Sequence, residues 1–243
     1  MMKIAFVSDI HGNATALEAV LADIEKKKAD KIVVMGDISY RGPEPKKSLD
    51  LVRNLNTAVI KGNADEWLHR GIKDGEVPDQ VLDTMRGERE WAVGQLSDED
   101  MEYLRNLPSE VTVDLTDKIK VHCFHATPES LFEVVKPTES DKALEEKLMQ
   151  NQEADIYLYG HIHLPYVRYI NGKCVANLGS VGLPFDGLNH ASYLIAEGDK
   201  EQFNIGIQRV QYDVEKVKKQ LEEKDYPNLG FLTGVIERGS LPQ

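Results

Sequence analysis

Lys3-Ile4-Ala5-Phe6-Val7-Ser8-Asp9-Ile10-His11-Gly12-Asn13 joins an apolar run to a loop carrying a carboxylate and an imidazole. The run reads as a strand, Lys3–Ser8, with Ile4–Val7 as its buried part. A helix at Ala14–Lys28 follows, because Leu17, Val20, Leu21 and Ile24 recur at helical spacing. The alternation continues with a strand at Lys31–Met35, a helix at Pro45–Asn54 opened by a first-turn proline, and a strand at Thr57–Lys61. Such a β-α-β-α-β run predicts an α/β fold with parallel strands and crossover helices.

Each strand leads into a short polar string. Asp9-Ile10-His11, Gly36-Asp37, Gly62-Asn63 and Gly160-His161-Ile162-His163 follow apolar runs, and His125 follows Val121–Phe124. Together they offer two carboxylates, one amide oxygen and four of the chain's seven imidazoles. Open α/β sheets place their sites beyond the strand ends, so these groups are expected to converge there. Glycine before Asn63 and His161 lets the backbone turn tightly at a strand end. Each string alone is a weak signal; their joint occurrence, in order, reads as a two-metal hydrolase. Mixed carboxylate, imidazole and amide donors suit Mn²⁺, Fe or Zn²⁺ better than Mg²⁺.

The second half is richer in strands. Glu110–Leu115 and Lys118–Phe124 form a hairpin across Thr116-Asp117, and Ser140–Gln150 is a helix. After Ile156–Tyr159, the strands Tyr166–Ile170 and Lys173–Ala176 flank Asn171-Gly172, a strong two-residue hairpin signal. Ala191–Ala196 and Gln202–Val210 pair across Glu197–Lys200, and a last helix begins near Asp213. Residues 64–108 break the rhythm: they hold both tryptophans and read as mainly helical, with a helix start at Ser97-Asp98-Glu99-Asp100. This stretch is either a cap over the site or a packed flank. The expectation is one domain over residues 1–243 with a helical insertion at about 64–108.

A chain of 243 residues that is 41% hydrophobic and 29% charged has the composition of a globular protein with a sizeable core. Its net charge of −12 argues against long nucleic acid or an acidic membrane surface as partner. A phosphorylated substrate stays compatible, because two divalent ions outweigh the charges of Asp9 and Asp37. No apolar run nears the roughly 20 residues of a membrane helix. A strand that starts beside Met1 leaves no room for a signal peptide, and two cysteines make no disulfide framework, so a cytoplasmic location is expected. Oligomeric state stays open. Cys123 reads as a buried thiol, with nearness to His125 as the alternative.

The strings together resemble the calcineurin-like metallophosphoesterases, in particular the small bacterial and archaeal phosphodiesterase-like group that opens with Ser-Asp-Ile-His-Gly-Asn. The resemblance runs from Lys3 to about Asp213 outside residues 64–108, and includes the turn Asn177-Leu178-Gly179-Ser180 and Ala191-Ser192-Tyr193. It implies a four-layer α-β-β-α sandwich of two mixed sheets. It also implies that Asp9, His11 and His163 hold one metal ion, that Asn63, His125 and His161 hold the other, and that Asp37 bridges. Leu178 replaces the proline usual in the Asn-Pro-Gly-Ser turn. In many relatives a histidine follows the asparagine of Gly-Asn as the acid for the leaving group, oriented by the aspartate after it; here Ala64 stands in its place, and Asp65 keeps a candidate catalytic role.

Ala64 bears on the substrate. Metal ions lower the pKa of bound water, so attack at phosphorus needs no histidine. Departure does: a phosphate leaving group has a second pKa of about 6, whereas an alkoxide resembles water, about 16. The expected substrates are therefore phosphoanhydrides or aryl esters, such as nucleotides or dinucleoside polyphosphates. Alternatives are a broad phosphodiesterase and a non-catalytic metal-binding module. Arg41 matches the arginine of Gly-Asp-x-x-x-Arg-Gly in the related protein phosphatases and reads as a phosphate contact or a surface ion pair. Asn13 reads as a helix cap or a substrate contact. Arg86 and Arg89 read as a solvated face with reach to a polyphosphate tail, His69 as an exposed helix residue or substitute acid, and His122 and His190 as structural.

Overall fold

Alternation along the first strand sets the layering. Ile4 and Phe6 point to one face and Ala5 and Val7 to the other, and all four are fully buried. A strand covered on both faces sits between two layers of apolar packing. The structure is a computed structural model that describes residues 1–241.

One sheet contains β1 (Met2–Val7), β2 (Lys31–Val34), β3 (Ala58–Val59), β9 (Ala191–Asp199) and β10 (Gln202–Val210), in the order β10-β9-β1-β2-β3. Its β1, β2 and β3 are parallel, and β9 runs antiparallel to β1 and β10. The second contains β4 (Glu110–Asp114), β5 (Lys120–Phe124), β6 (Ile156–Tyr159), β7 (Tyr166–Ile170) and β8 (Lys173–Asn177), in the order β4-β5-β6-β8-β7. There β5, β6 and β8 are parallel and the edge strands β4 and β7 antiparallel. Both sheets are mixed.

Between the sheets lie Ile4, Phe6, Val33, Met35, Val121, Cys123, Leu158 and Cys174. Outside the first sheet, Val7 and Val34 pack on Leu17 and Val20 of α1 (Ala14–Lys27) and on Leu49 and Val52 of α2 (Pro45–Asn54). Outside the second, Phe124, Tyr157 and Val175 pack on Leu144 and Leu148 of α6 (Asp141–Leu148). These layers make the four-layer α-β-β-α sandwich. Cys123 belongs to the core between the sheets, where burial pushes its thiol pKa well up. Among the described residues, no helix is long and apolar enough to cross a membrane.

The Asn171-Gly172 turn forms as its chemistry requires, both residues at positive φ (49° and 81°). Several element limits differ from expectation by a residue or two, and three differences have a clear physical meaning. Strand β3 is only two residues long, because Lys61 N donates to Pro108 O instead of continuing along the sheet. Strand β9 runs on to Asp199: Glu197 and Gly198 keep partners on both β1 and β10, so pairing outlasts the apolar run. After the expected C-terminal helix α7 (Val214–Glu223), a further helix, α8 (Leu229–Arg238), packs on it through Leu232 and Val235.

Residues 63–105 fold as α3 (Asn63–Arg70), α4 (Asp79–Val93) and α5 (Asp98–Arg105). Ser97 and Asp100 cap α5 reciprocally. Trp67, Leu68, Leu82, Met85 and Leu104 join the apolar layer outside the first sheet. Trp67 and Met85 also wall a cavity shared with His11, Asp37 and His161, so the stretch is both a packed flank and a boundary of that cavity.

Candidate metal centre

Five strands, parallel within their own sheets, carry the candidate donors beyond their C-terminal ends: Asp9 and His11 after β1, Asp37 after β2, Asn63 after β3, His125 after β5, and His161 and His163 after β6. Backbone bonds hold the loops together. Asp9 N donates to Gly36 O, His11 N to Asp37 O, and Gly160 N to His125 O. The turn after β8 completes the frame, with the Ser180 hydroxyl donating to Asp9 O and Asn177 Nδ2 to Gly160 O.

The structure brings all seven groups together. Asp9, His11, Asp37 and His163 offer donor atoms that lie within 4.8 Å of one another. His163 Nε2 is 3.1 Å from Asp9 Oδ1, and His11 Nε2 is 3.6 Å from Asp37 Oδ2. On the other side of Asp37, His125 Nε2 is 3.4 Å from the same Oδ2 and 2.9 Å from Asn63 Oδ1, which lies 2.8 Å from His161 Nδ1. Two clusters thus meet at one carboxylate oxygen.

Proton placement tests whether this donor set fits metal ions. His11 Nδ1 faces Tyr40 O at 2.8 Å, His163 Nδ1 faces Leu183 O at 2.5 Å, and His125 Nδ1 faces Met35 O at 2.9 Å. A carbonyl only accepts, so each Nδ1 carries hydrogen and, in their neutral forms, His11 and His163 turn the Nε2 lone pair inward. The His11 and His163 lone pairs then oppose each other at 3.1 Å beside two carboxylates. His161 Nε2 is buried without a partner among the described residues. Inward lone pairs and carboxylates repel one another unless a cation lies between them; the residues fit divalent metal.

The electrostatics agree. Burial, with His163 adding repulsion, lowers the His11 pKa to about 4. Burial and His125 lower that of His161 to about 4 as well, so both rings are neutral at pH 7, the form that binds metal. Burial opposes charge on His125, yet the charge and hydrogen bond of Asp37 prevail and push it up to about 10. Asp37 and Asp9 are both held below the ordinary carboxylate range against burial, chiefly by His125 and His163 respectively. Beside Asp37 the carboxylate charge thus favours a positive charge, which a proton on His125 or a cation can supply.

Backbone strain concentrates at the same place. Asp9, His11, Asp37, His161 and His163 all have φ between 50° and 68°, and Arg41 has φ 73°. Left-handed non-glycine residues cost about 1–3 kcal/mol each and persist where surrounding structure fixes them. Gly62 and Gly160 are needed for space rather than for φ. A Cβ on Gly62 would lie 2.1 Å from Asp37 Oδ1, and one on Gly160 2.4 Å from Asp9 Oδ2.

The remaining candidates divide. Asp65 is buried behind the metal-facing side; Oδ2 accepts from Asp37 N (2.7 Å) and Gly62 N (2.9 Å), and Oδ1 from Ile38 N (2.9 Å). Burial and the Asp37 charge raise its pKa to about 7. Its geometry is that of a brace between two loops. Asn13 is wholly engaged internally: Oδ1 caps α1 through Ala16 N, and Nδ2 donates to Gly182 O. His69 is exposed, and His122 Nε2 is 2.9 Å from Glu110 Oε2. Arg86 and Arg89 are tied to backbone carbonyls of Ile72 and of Trp67 and Leu68.

A cavity of ≈ 160 Å³ opens on the centre, bordered by Asp37, Arg41, Ala64, Trp67, His161 and Phe185. Arg41 faces it while its Nε lies 3.2 Å from Glu88 Oε2. Sequence reasoning missed Glu88, although a signal existed: it is a charged residue on the buried Leu82–Met85–Ala92 stripe of α4. Wider hollows beside Lys118 and Glu201 and around His122 gather no comparable donor set.

Comparison with known proteins places the chain. Residues 2–201 match the calcineurin-like phosphoesterase superfamily domain. An uncharacterized protein of Methanocaldococcus jannaschii is 32% identical over 241 residues, covering 92% of this chain and 93% of its own. The phosphodiesterase YfcE of Escherichia coli is 28% identical over 204 residues, 82% of this chain and 89% of YfcE. The crystal structure of a metallophosphoesterase from Sphaerobacter thermophilus superposes with a TM-score of 0.75 at 27% identity, covering 98% and 99% of the two chains. The chain belongs to the calcineurin-like phosphoesterase superfamily and is a hydrolase of that metal-dependent family.

Proposed function

We propose that the protein is a dinuclear phosphohydrolase that cleaves phosphoanhydride or activated phosphoester bonds of small substrates, nucleotides or dinucleoside polyphosphates first among them. The observation that carries this reading is the meeting of two donor clusters at Asp37 Oδ2, within 3.6 Å of His11 Nε2 and 3.4 Å of His125 Nε2. Asp9, His11 and His163 would hold one divalent ion and Asn63, His125 and His161 the other, with Asp37 between them and Mn²⁺ or Fe preferred, Zn²⁺ next. In this reading the chain is one catalytic domain over residues 1–243 with a helical insertion at about 64–108.

Bound ions would supply an activated water and neutralise charge on the phosphoryl group. The chain's own residues do the rest. Arg41 offers its guanidinium fork to non-bridging phosphate oxygens at the cavity wall. Trp67 and Phe185 exclude water beside them. Ala64 gives the leaving group no proton, which favours groups that depart as stable anions. A ≈ 160 Å³ cavity is smaller than most small-molecule sites, so the phosphoryl group enters while the rest of the substrate stays at the mouth.

A panel of nucleoside triphosphate, dinucleoside tetraphosphate, aryl phosphate and alkyl phosphodiester, assayed with Mn²⁺, tests the reading. Turnover of the first three well above the last is expected. Equal turnover of all four defeats the leaving-group argument, and none at all favours a non-catalytic binding role. A broad phosphodiesterase, the activity named for YfcE, is the second reading, and the diester arm measures it.

A further inference from the structure

Glu88 is fully buried on α4, and neither carboxylate oxygen has a hydrogen-bond partner among the described residues. A buried carboxylate without hydrogen bonds is costly, and an ion pair with one neighbour repays that cost poorly as stability. Its charged neighbour is Arg41, whose Nε lies 3.2 Å from Glu88 Oε2 as an ion pair without hydrogen-bond alignment, Arg41 Nε being equally unpartnered among the described residues. Arg41 is otherwise unusual: its backbone is left-handed, its guanidinium lies 5.2 Å over the Phe231 ring of α8, and it borders the metal-side cavity. Beside them, burial and the Glu88 charge raise the Tyr226 hydroxyl pKa well above its ordinary value.

We propose that Glu88 is the positioning residue for Arg41, its buried charge drawing the Nε side of the guanidinium to the wall so that the two terminal nitrogens face a phosphoryl group at the centre. A guanidinium offers five donors in a rigid fork, and anchoring one edge fixes where the other points. Phe231 restrains the plane from one face. The anchor comes from α4 and the restraint from α8, and α8 lies outside the stretch matched by the family domain. The wall of the site is thus built by two elements peripheral to the metal-carrying strands. This inference rests on the phosphohydrolase reading.

A double-mutant cycle tests it. Glu88→Gln keeps the size and removes the charge, and Arg41→Ala removes the group acted upon. Aryl phosphate kinetics and the inhibition constant of inorganic phosphate are measured for both single variants and the double. Glu88→Gln should raise KM and the phosphate inhibition constant about 10-fold, with kcat changed less. In the Arg41→Ala background the same substitution should add less than about 2-fold. Glu88→Asp, which keeps the charge, should recover part of the loss. A Glu88→Gln effect of equal size in both backgrounds, or none in the wild type, overturns the proposal. Phosphate-induced stabilisation against heat is read in parallel on the metal-loaded proteins. Should the wild type turn nothing over, that second readout still tests the positioning while the phosphohydrolase reading fails separately.

Discussion

His11 Nε2 and His163 Nε2 face each other at 3.1 Å, and the far nitrogen of each ring is committed to a backbone carbonyl, Tyr40 O for one and Leu183 O for the other. Neither ring can flip to offer a proton without breaking its carbonyl bond. In their neutral forms the two rings turn lone pairs at each other across the gap, and a cation converts that repulsion into coordination. Metal should therefore stabilise the fold. At a free concentration about 100 times the dissociation constant, the gain is about 2.7 kcal/mol, or a rise in Tm of about 5–10 °C for a chain of this size. Thermal melts with chelator and then with Mn²⁺ measure it; coincident curves would count against metal binding.

Asp65→Asn separates a brace from an acid. The side-chain oxygen of Asn can keep two of the backbone bonds, but its NH₂ then opposes Ile38 N, so the Asp37 loop should loosen. Metal affinity should fall about 10–100-fold, as for other groups that support ligands, and all substrates should suffer alike. A loss confined to poor leaving groups would mark Asp65 as a proton donor instead.

Ala64→His restores a titratable group at the cavity wall. Alkyl esters should gain, by about 10²-fold if the imidazole reaches the leaving oxygen, while a nucleoside triphosphate gains little. The ratio of the two kcat/KM values is the measurement. A parallel rise for both substrates would show that departure is not what Ala64 limits.

Glu76 locks the α3–α4 connection. Its carboxylate accepts from Arg70 Nη2 (2.6 Å), Trp67 Nε1 (3.0 Å) and Lys73 N (2.9 Å), and the Arg70 bonds chiefly lower its pKa to about 2. The ordinary value is about 4.3. A depressed pKa means that the stabilisation is complete above pH ~4.3 and is lost as the pH falls through ~2. Glu76→Gln should cost about 1–2 kcal/mol at neutral pH after allowance for partial exposure. The gap between mutant and wild-type melts should close between those two pH values; a constant gap would refute an ionic origin.

The sequence made the strand-end ligands legible because each is a metal-capable side chain within a few residues of the end of an apolar run, as Asp9 lies just beyond Ile4–Val7. Alternation along β1 and the positive-φ pair Asn171-Gly172 were equally readable, since local chemistry decides them. Tertiary pairing was not readable: Lys61 leaves the first sheet for Pro108, and Glu197 stays in it because β1 offers a second partner. Glycine at position 62 was foreseen, but for its backbone freedom; the actual reason is that Asp37 Oδ1 and His125 occupy the space a Cβ would need. Glu88 was hidden because its partner is set by how α4 packs, 47 residues along the chain from Arg41.

Metal analysis of wild type beside Asp37→Asn addresses the central claim most directly, since Asp37 Oδ2 is the atom the two clusters share. The wild type loaded with Mn²⁺ should carry two ions per chain, and Asp37→Asn should lose at least one of them together with hydrolysis of an aryl phosphate. Two ions retained with full activity in the variant, or no ion bound by the wild type, would contradict the account.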